Sequence, residues 1–137
     1  MIVYDTGALV AGERNDRPMW ALHDAALRRG ITPIVPAGVL AQAWRGGPQA
    51  RLSQVLRGCV NEPLDESLAR DVRLLCATAD TSNIVDAWVV LIATSRHAAI
   101  VTSDEPDITT SLLSSRHTRH PRDIAEPGDA VRVAGLR

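Results

Sequence analysis

The chain is 137 residues long, 45% hydrophobic and 23% charged, which is the composition of a folded globular domain with a sizeable core and excludes a disordered chain. A formal net charge of −1 argues against holding nucleic acid by bulk electrostatics, and three Trp, one Tyr and no Phe leave few aromatic faces for stacking bases. No apolar run approaches the roughly 18–20 residues that cross a bilayer, and the opening MIVYDTG lacks a basic-then-apolar signal pattern, so a soluble cytoplasmic protein is expected.

In chain order, Ile2–Tyr4 is a short β-rich run that stops at Asp5-Thr6-Gly7, a signal that commonly opens a helix. From Pro18 to Arg29 the apolar positions Trp20, Leu22, Ala25, Ala26 and Leu27 suit a helix ended by Gly30. Residues 31–35 read as a second strand, which the internal Pro33 makes an edge or restricts to a start at Ile34. Pro36 then suits the first turn of a helix with Val39, Leu40, Ala43 and Trp44 on one side, broken by Gly46-Gly47-Pro48. A helix from Gln49 to Arg57 follows, with a small strand at 59–60 and a helix from Asp65 to Ala79 that buries Leu68, Val72 and Leu75. Residues 84–98 carry the strongest helical stripe, built from Ile84, Val85, Trp88, Val89 and Ile92. Ala99–Thr102 is the next strand, a short helix is expected over Asp107–Ser114, a loop over Ser115–Gly128, and a last strand at Val131–Val133. Strands alternating with helices imply βαβ units and a central parallel sheet with helices on both faces, a single-domain α/β/α sandwich in three layers.

Acidic residues fall where such a sheet binds ligands, beyond the carboxyl ends of its strands. Asp5 directly follows the first strand, Asp104 follows Ala99–Thr102 with Asp107 three residues on, and Asp86 lies in the first turn of the strongest helix. Like charges gathered in a partly dry pocket repel unless a cation intervenes. A hard divalent ion such as Mg²⁺ or Mn²⁺ prefers carboxylate oxygen and water, and makes metal-assisted hydrolysis of a phosphodiester available. Each acid also has a local role open to it. Asp5 or Thr6 suits a helix cap, Asn83 and Asp86 have capping-box spacing, and Asp104 and Asp107 repeat that spacing.

Taken together, Val-Tyr-Asp5-Thr-Gly-Ala-Leu, Val-Pro-Ala-Gly-Val-Leu-Ala-Gln42-Ala-Trp-Arg, Ile-Val-Asp86-Ala and Val-Thr-Ser-Asp104-Glu-Pro-Asp107 resemble a PIN domain, and in particular the VapC-type toxins of bacterial toxin–antitoxin pairs. The resemblance runs from Ile2 to about Val133. It implies a Mg²⁺- or Mn²⁺-dependent endoribonuclease, typically a homodimer, restrained by a small antitoxin protein. Position by position it makes Asp5, Asp86 and Asp104 metal-binding and catalytic acids and Asp107 a more variable fourth. Thr6, Thr102 and Ser103 match hydroxyl positions that support the metal from behind its ligands. The departure is Gln42, which stands where the family usually carries Glu. It keeps the length and a carbonyl oxygen but not the negative charge, so the alternative is a catalytically weakened domain that binds RNA or a partner without efficient cleavage. A small-molecule phosphatase ranks last, because the first strand is not followed by a D-x-D nucleophile pattern.

The remaining candidates have plainer readings. Cys59 and Cys76 form no metal-ligand spacing and read as buried apolar residues. His117 and His120 sit among Arg116, Arg119 and Arg122 and read as a solvated basic loop able to touch phosphates. His23 and His97 are expected near helix ends in structural roles, and Trp20, Trp44 and Trp88 at packing positions, with Trp20 or Trp44 also suited to a partner interface. Arg45, Arg51 and Arg57 read as a basic rim or as solvated helix faces.

Overall fold

The computed structural model of the chain describes residues 1–80, 82–103 and 133–135, with the backbone alone at Ala79 and at 133–135. Its strands are short, and those at the centre of the sheet are mostly apolar. Strand β1 (Ile2–Tyr4) lies between β2 (Ile34–Pro36) and β4 (Ala99–Thr102), while β3 (Val60–Glu62) and β5 (Val133–Gly135) complete the order β3-β2-β1-β4-β5. Every pairing is parallel. Val3 stands opposite Ile34, and Ile2, Val3 and Tyr4 stand opposite Ala99, Ile100 and Val101. Val3, Tyr4, Val35, Ile100 and Val101 are buried, as central strands covered on both faces require.

Six helices among the described residues connect these strands: α1 (Thr6–Glu13), α2 (Arg17–Arg28), α3 (Ala37–Ala43), α4 (Ala50–Arg57), α5 (Glu66–Ala79) and α6 (Ile84–Ser95). The chain steps outward from β1 through β2 to β3, then returns to pair β4 on the other side of β1. Right-handed crossovers therefore place α1–α4 on one face of the sheet and α5 and α6 on the other. The packing agrees, since α1 touches α2, α3 and α4, whereas α5 lies on α6 and α6 on β1 and β4. The molecule is thus α/β with an all-parallel sheet, compatible with the expected three layers. No helix among the described residues is long and apolar enough to cross a membrane.

Element boundaries differ from the sequence reading for identifiable reasons. The second strand begins at Ile34, after Pro33, and Pro36 closes it while standing at the N-cap of α3. Strand β3 is Val60–Glu62 and not 59–60. Helix α2 starts at Arg17 because Asp16 caps it, accepting from Met19 N at 3.0 Å. Helix α6 stops at Ser95, three residues short of the expected end. His97 there takes a left-handed φ of 52° and the Ala98 N–H turns back to the Ala93 carbonyl at 2.9 Å, a closure that needs no glycine. The last strand is observed at Val133–Gly135. The short helix expected over Asp107–Ser114, the loop over Ser115–Gly128, and His117 and His120 lie outside the described residues.

His23 is a correction of another kind. It lies in the middle of α2, buried, with Nδ1 2.9 Å from the Tyr4 hydroxyl. The Trp20 ring meets it edge-on at 6.1 Å, and the Trp20 indole N–H donates to the Gly12 carbonyl. Burial lowers the His23 pKa, with Asp24 opposing, and burial raises that of Tyr4. Cys59 is half-buried, its thiol donating to the Val55 carbonyl and pushed up to about 12 by burial, and Cys76 is buried. Both thiols are free, in keeping with inert packing roles.

Candidate functional site

Strand β1 ends in Asp5, and the side chain is committed at once to the next element. Asp5 Oδ1 accepts from Ala8 N at 2.8 Å and caps α1, while the Asp5 N–H extends the β1–β4 ladder to the Val101 carbonyl at 3.2 Å. The carboxylate is thereby fixed at the carboxyl edge of the sheet, and Asp5 as a whole is only 3% exposed. Thr6, at the first position of α1, donates from Oγ1 to Gln42 Oε1 of α3 at 2.5 Å.

Helix α6 brings the second acid. Asn83 is its N-cap, accepting from Asp86 N at 3.1 Å, and donates from Nδ2 to Asp86 Oδ2 at 2.6 Å. This reciprocal clasp holds the Asp86 side chain against its own helix terminus, where the dipole favours negative charge. The capping roles foreseen for Asp5 and for the Asn83–Asp86 pair are thus both present, and they coexist with a shared cavity.

That cavity has a volume of about 400 Å³. Asp5, Thr6 and Gly7 from the β1–α1 junction line it, with Gln42 from α3, Asn83 and Asp86 from α6, and Ser103 after β4. Val10 supplies an apolar wall. Four separate segments of the chain meet at one edge of the sheet. Gly7 makes room for the last of them: a Cβ there would overlap the Ser103 hydroxyl and stand 3.1 Å from Ser103 N.

Asp5, Asp86, Gln42, Thr6 and Ser103 therefore come together, five of the residues singled out from sequence. Thr102 is fully buried in β4 and does not line the cavity. Asp104 and Asp107 lie outside the described residues. The described residues include no group of three or more His, Cys, Asp or Glu side chains placed to hold a metal ion. Asn83 and Gly7 also line the cavity. The capping-box spacing of Asn83 and Asp86 is the sequence signal for the first, and nothing local in the sequence announces the approach of Ser103 to Gly7. Neither a comparison with protein-family models nor one with curated proteins finds a match to this chain.

Electrostatically the cavity is acidic. No Lys or Arg among the described residues lines it. Arg45 pairs with Glu13, and Arg51 and Arg57 are exposed on α4 away from it. On the other side of α3 a second cavity of about 420 Å³ is lined by Ala37, Leu40, Ala41, Trp44 and Leu56 and is almost wholly apolar. Helix α3 thus separates a polar cavity from an apolar one.

Proposed function

We propose that the protein is a metal-dependent endoribonuclease with a PIN-like fold, hydrolysing RNA phosphodiester bonds. The observation that carries this reading is the convergence of Asp5, Asp86, Gln42 and Ser103 on one polar cavity at the carboxyl edge of a parallel sheet. The donor set fits a hard divalent ion. Carboxylates at Asp5 and Asp86 and a hydroxyl at Ser103 are oxygen donors, the kind such an ion prefers. Mg²⁺ or Mn²⁺ held by Asp5 and Asp86, with Asp104 and Asp107 adding to the set, would supply Lewis-acid activation of water and offset the charge developing on phosphate.

The chain's own groups act around that ion. Asp5 is positioned by the α1 terminus and Asp86 by Asn83, so neither carboxylate has to reorganise as substrate enters. Following the family resemblance, the protein acts as the toxin of a toxin–antitoxin pair, as a homodimer restrained by a small antitoxin protein in the cytoplasm.

The test is RNA cleavage by purified protein with Mg²⁺ or Mn²⁺. Asp5→Asn, Asp86→Asn and Asp104→Asn are each expected to lower the rate at least about 100-fold, the scale on which metal-assisted and electrostatic terms act. Cleavage unchanged by all of them overturns the assignment. Gln42 favours a second reading, a domain that binds RNA or a protein partner and cuts poorly. In that case wild type cleaves undetectably and Gln42→Glu gains clear metal-dependent cleavage.

A further inference from the structure

The amide of Gln42 is oriented by its neighbour. Its carbonyl oxygen accepts the Thr6 hydroxyl at 2.5 Å, which occupies one of that oxygen's two lone pairs and fixes the orientation of the amide. The other end of the amide is Nε2, with N–H donors and no lone pair to offer a cation. Gln42 is exposed on α3 and lines the cavity, and its nitrogen is bonded to none of the described residues.

The other amide in the cavity is used differently. Asn83 is engaged at both ends, its oxygen by Asp86 N and its nitrogen by Asp86 Oδ2. With no Lys or Arg among the described lining residues, Gln42 is the amide left to donate outward. An acidic cavity that is to accept a phosphodiester needs such a donor, since it attracts an anionic oxygen without competing with the carboxylates for the cation.

Resting on the phosphodiester reading above, we propose that Gln42 is a substrate-binding residue and not a metal ligand: Thr6 holds its carbonyl oxygen, and its amide N–H group binds a non-bridging phosphate oxygen of RNA.

Two binding measurements on the full chain test this, neither of which needs turnover. Mn²⁺ affinity is measured by isothermal titration calorimetry, and RNA affinity by anisotropy of a short fluorescein-labelled single-stranded RNA with Ca²⁺ as the divalent ion. Wild type, Gln42→Ala, Gln42→Glu and Asp5→Asn are compared. Gln42→Ala is expected to leave Mn²⁺ affinity within about twofold of wild type and to weaken RNA binding about tenfold, the value of a hydrogen bond to a charged group. Gln42→Glu is expected to tighten Mn²⁺ binding and weaken RNA binding, because the new charge attracts the one and repels the other. Gln42→Ala that weakens Mn²⁺ as Asp5→Asn does, or that leaves RNA affinity unchanged, overturns the proposal while the nuclease reading stands. Wild type that binds neither Mn²⁺ nor RNA overturns both.

Discussion

Asp5 does two things with one carboxylate, and substitutions separate them. As a cap it needs an acceptor oxygen facing Ala8 N, which asparagine also has. As a site residue it needs negative charge, which asparagine lacks. Asp5→Asn is expected to lose only the charge–dipole contribution to α1, about 0.3–1 kcal/mol. Asp5→Ala is expected to lose the cap as well, about 1 kcal/mol more. Urea denaturation of the two variants measures that difference, and equal stabilities would show that the cap contributes nothing. RNA cleavage falls alike in both, so the pair distinguishes a damaged fold from a damaged site. The same logic reaches Asp86, whose link to Asn83 is compatible with a role in the cavity and does not compete with it.

Helices α3 and α6 face each other across the carboxyl edge of the sheet, and their contact sets how far Gln42 stands from Asp86. Gly38 marks a close contact between them: a Cβ there would stand 2.7 and 2.9 Å from Trp88 ring carbons and 3.2 Å from Val85 Cγ2. The indole is buried and cannot swing away. Gly38→Ala is expected to destabilise by about 1–3 kcal/mol, the usual cost of overpacking, even though alanine is the better helix former. Thermal denaturation measures this, and a replacement of Trp88 by leucine in the same chain should recover part of the loss. The alternation of strands and helices was legible in the sequence because β1, β2 and β4 are predominantly apolar runs between turn signals, and Asp5 and Asp86 were legible because they sit at element junctions. Strand β3 was misplaced by a residue or two because its sequence, Val-Asn-Glu, carries no apolar pattern and gains its state from pairing with β2. The early end of α6 depends on a left-handed histidine, a conformation that sequence rarely marks outside Gly and Asn. The turn of Gln42 toward Thr6 joins residues of two helices, so no local spacing could disclose it.

For the molecule as a whole, the buried Tyr4–His23 pair under the sheet makes stability depend on pH. Burial disfavours imidazolium, the Tyr4 hydroxyl and the half-buried Cys59 thiol nearby are neutral, and Asp24 opposes the shift only in part. The folded-state pKa of His23 therefore lies below the unfolded value of about 6.5. The unfolded chain binds the proton first on acidification. Stability is full above about pH 6.5 and falls as pH drops below it, by no more than about 1.4 kcal/mol per pH unit for a single proton. Melting temperatures between about pH 7 and 5, above the ordinary carboxylate range, should show that slope, and His23→Gln should flatten it. The order of the strands has a consequence in time as well as in space. Strand β1 occupies the centre of the sheet, yet its longest pairing, Ile2 to Tyr4 against Ala99 to Val101, joins segments separated by most of the chain. Closing so long a loop carries an entropic cost before any contact rewards it, which makes such pairings late events in folding. Because Ser103 reaches the cavity only at the end of β4, a nascent chain carries Asp5 long before it has a cavity to put it in. The protein is built so that synthesis of its first acid and assembly of its pocket are separated by the making of β4.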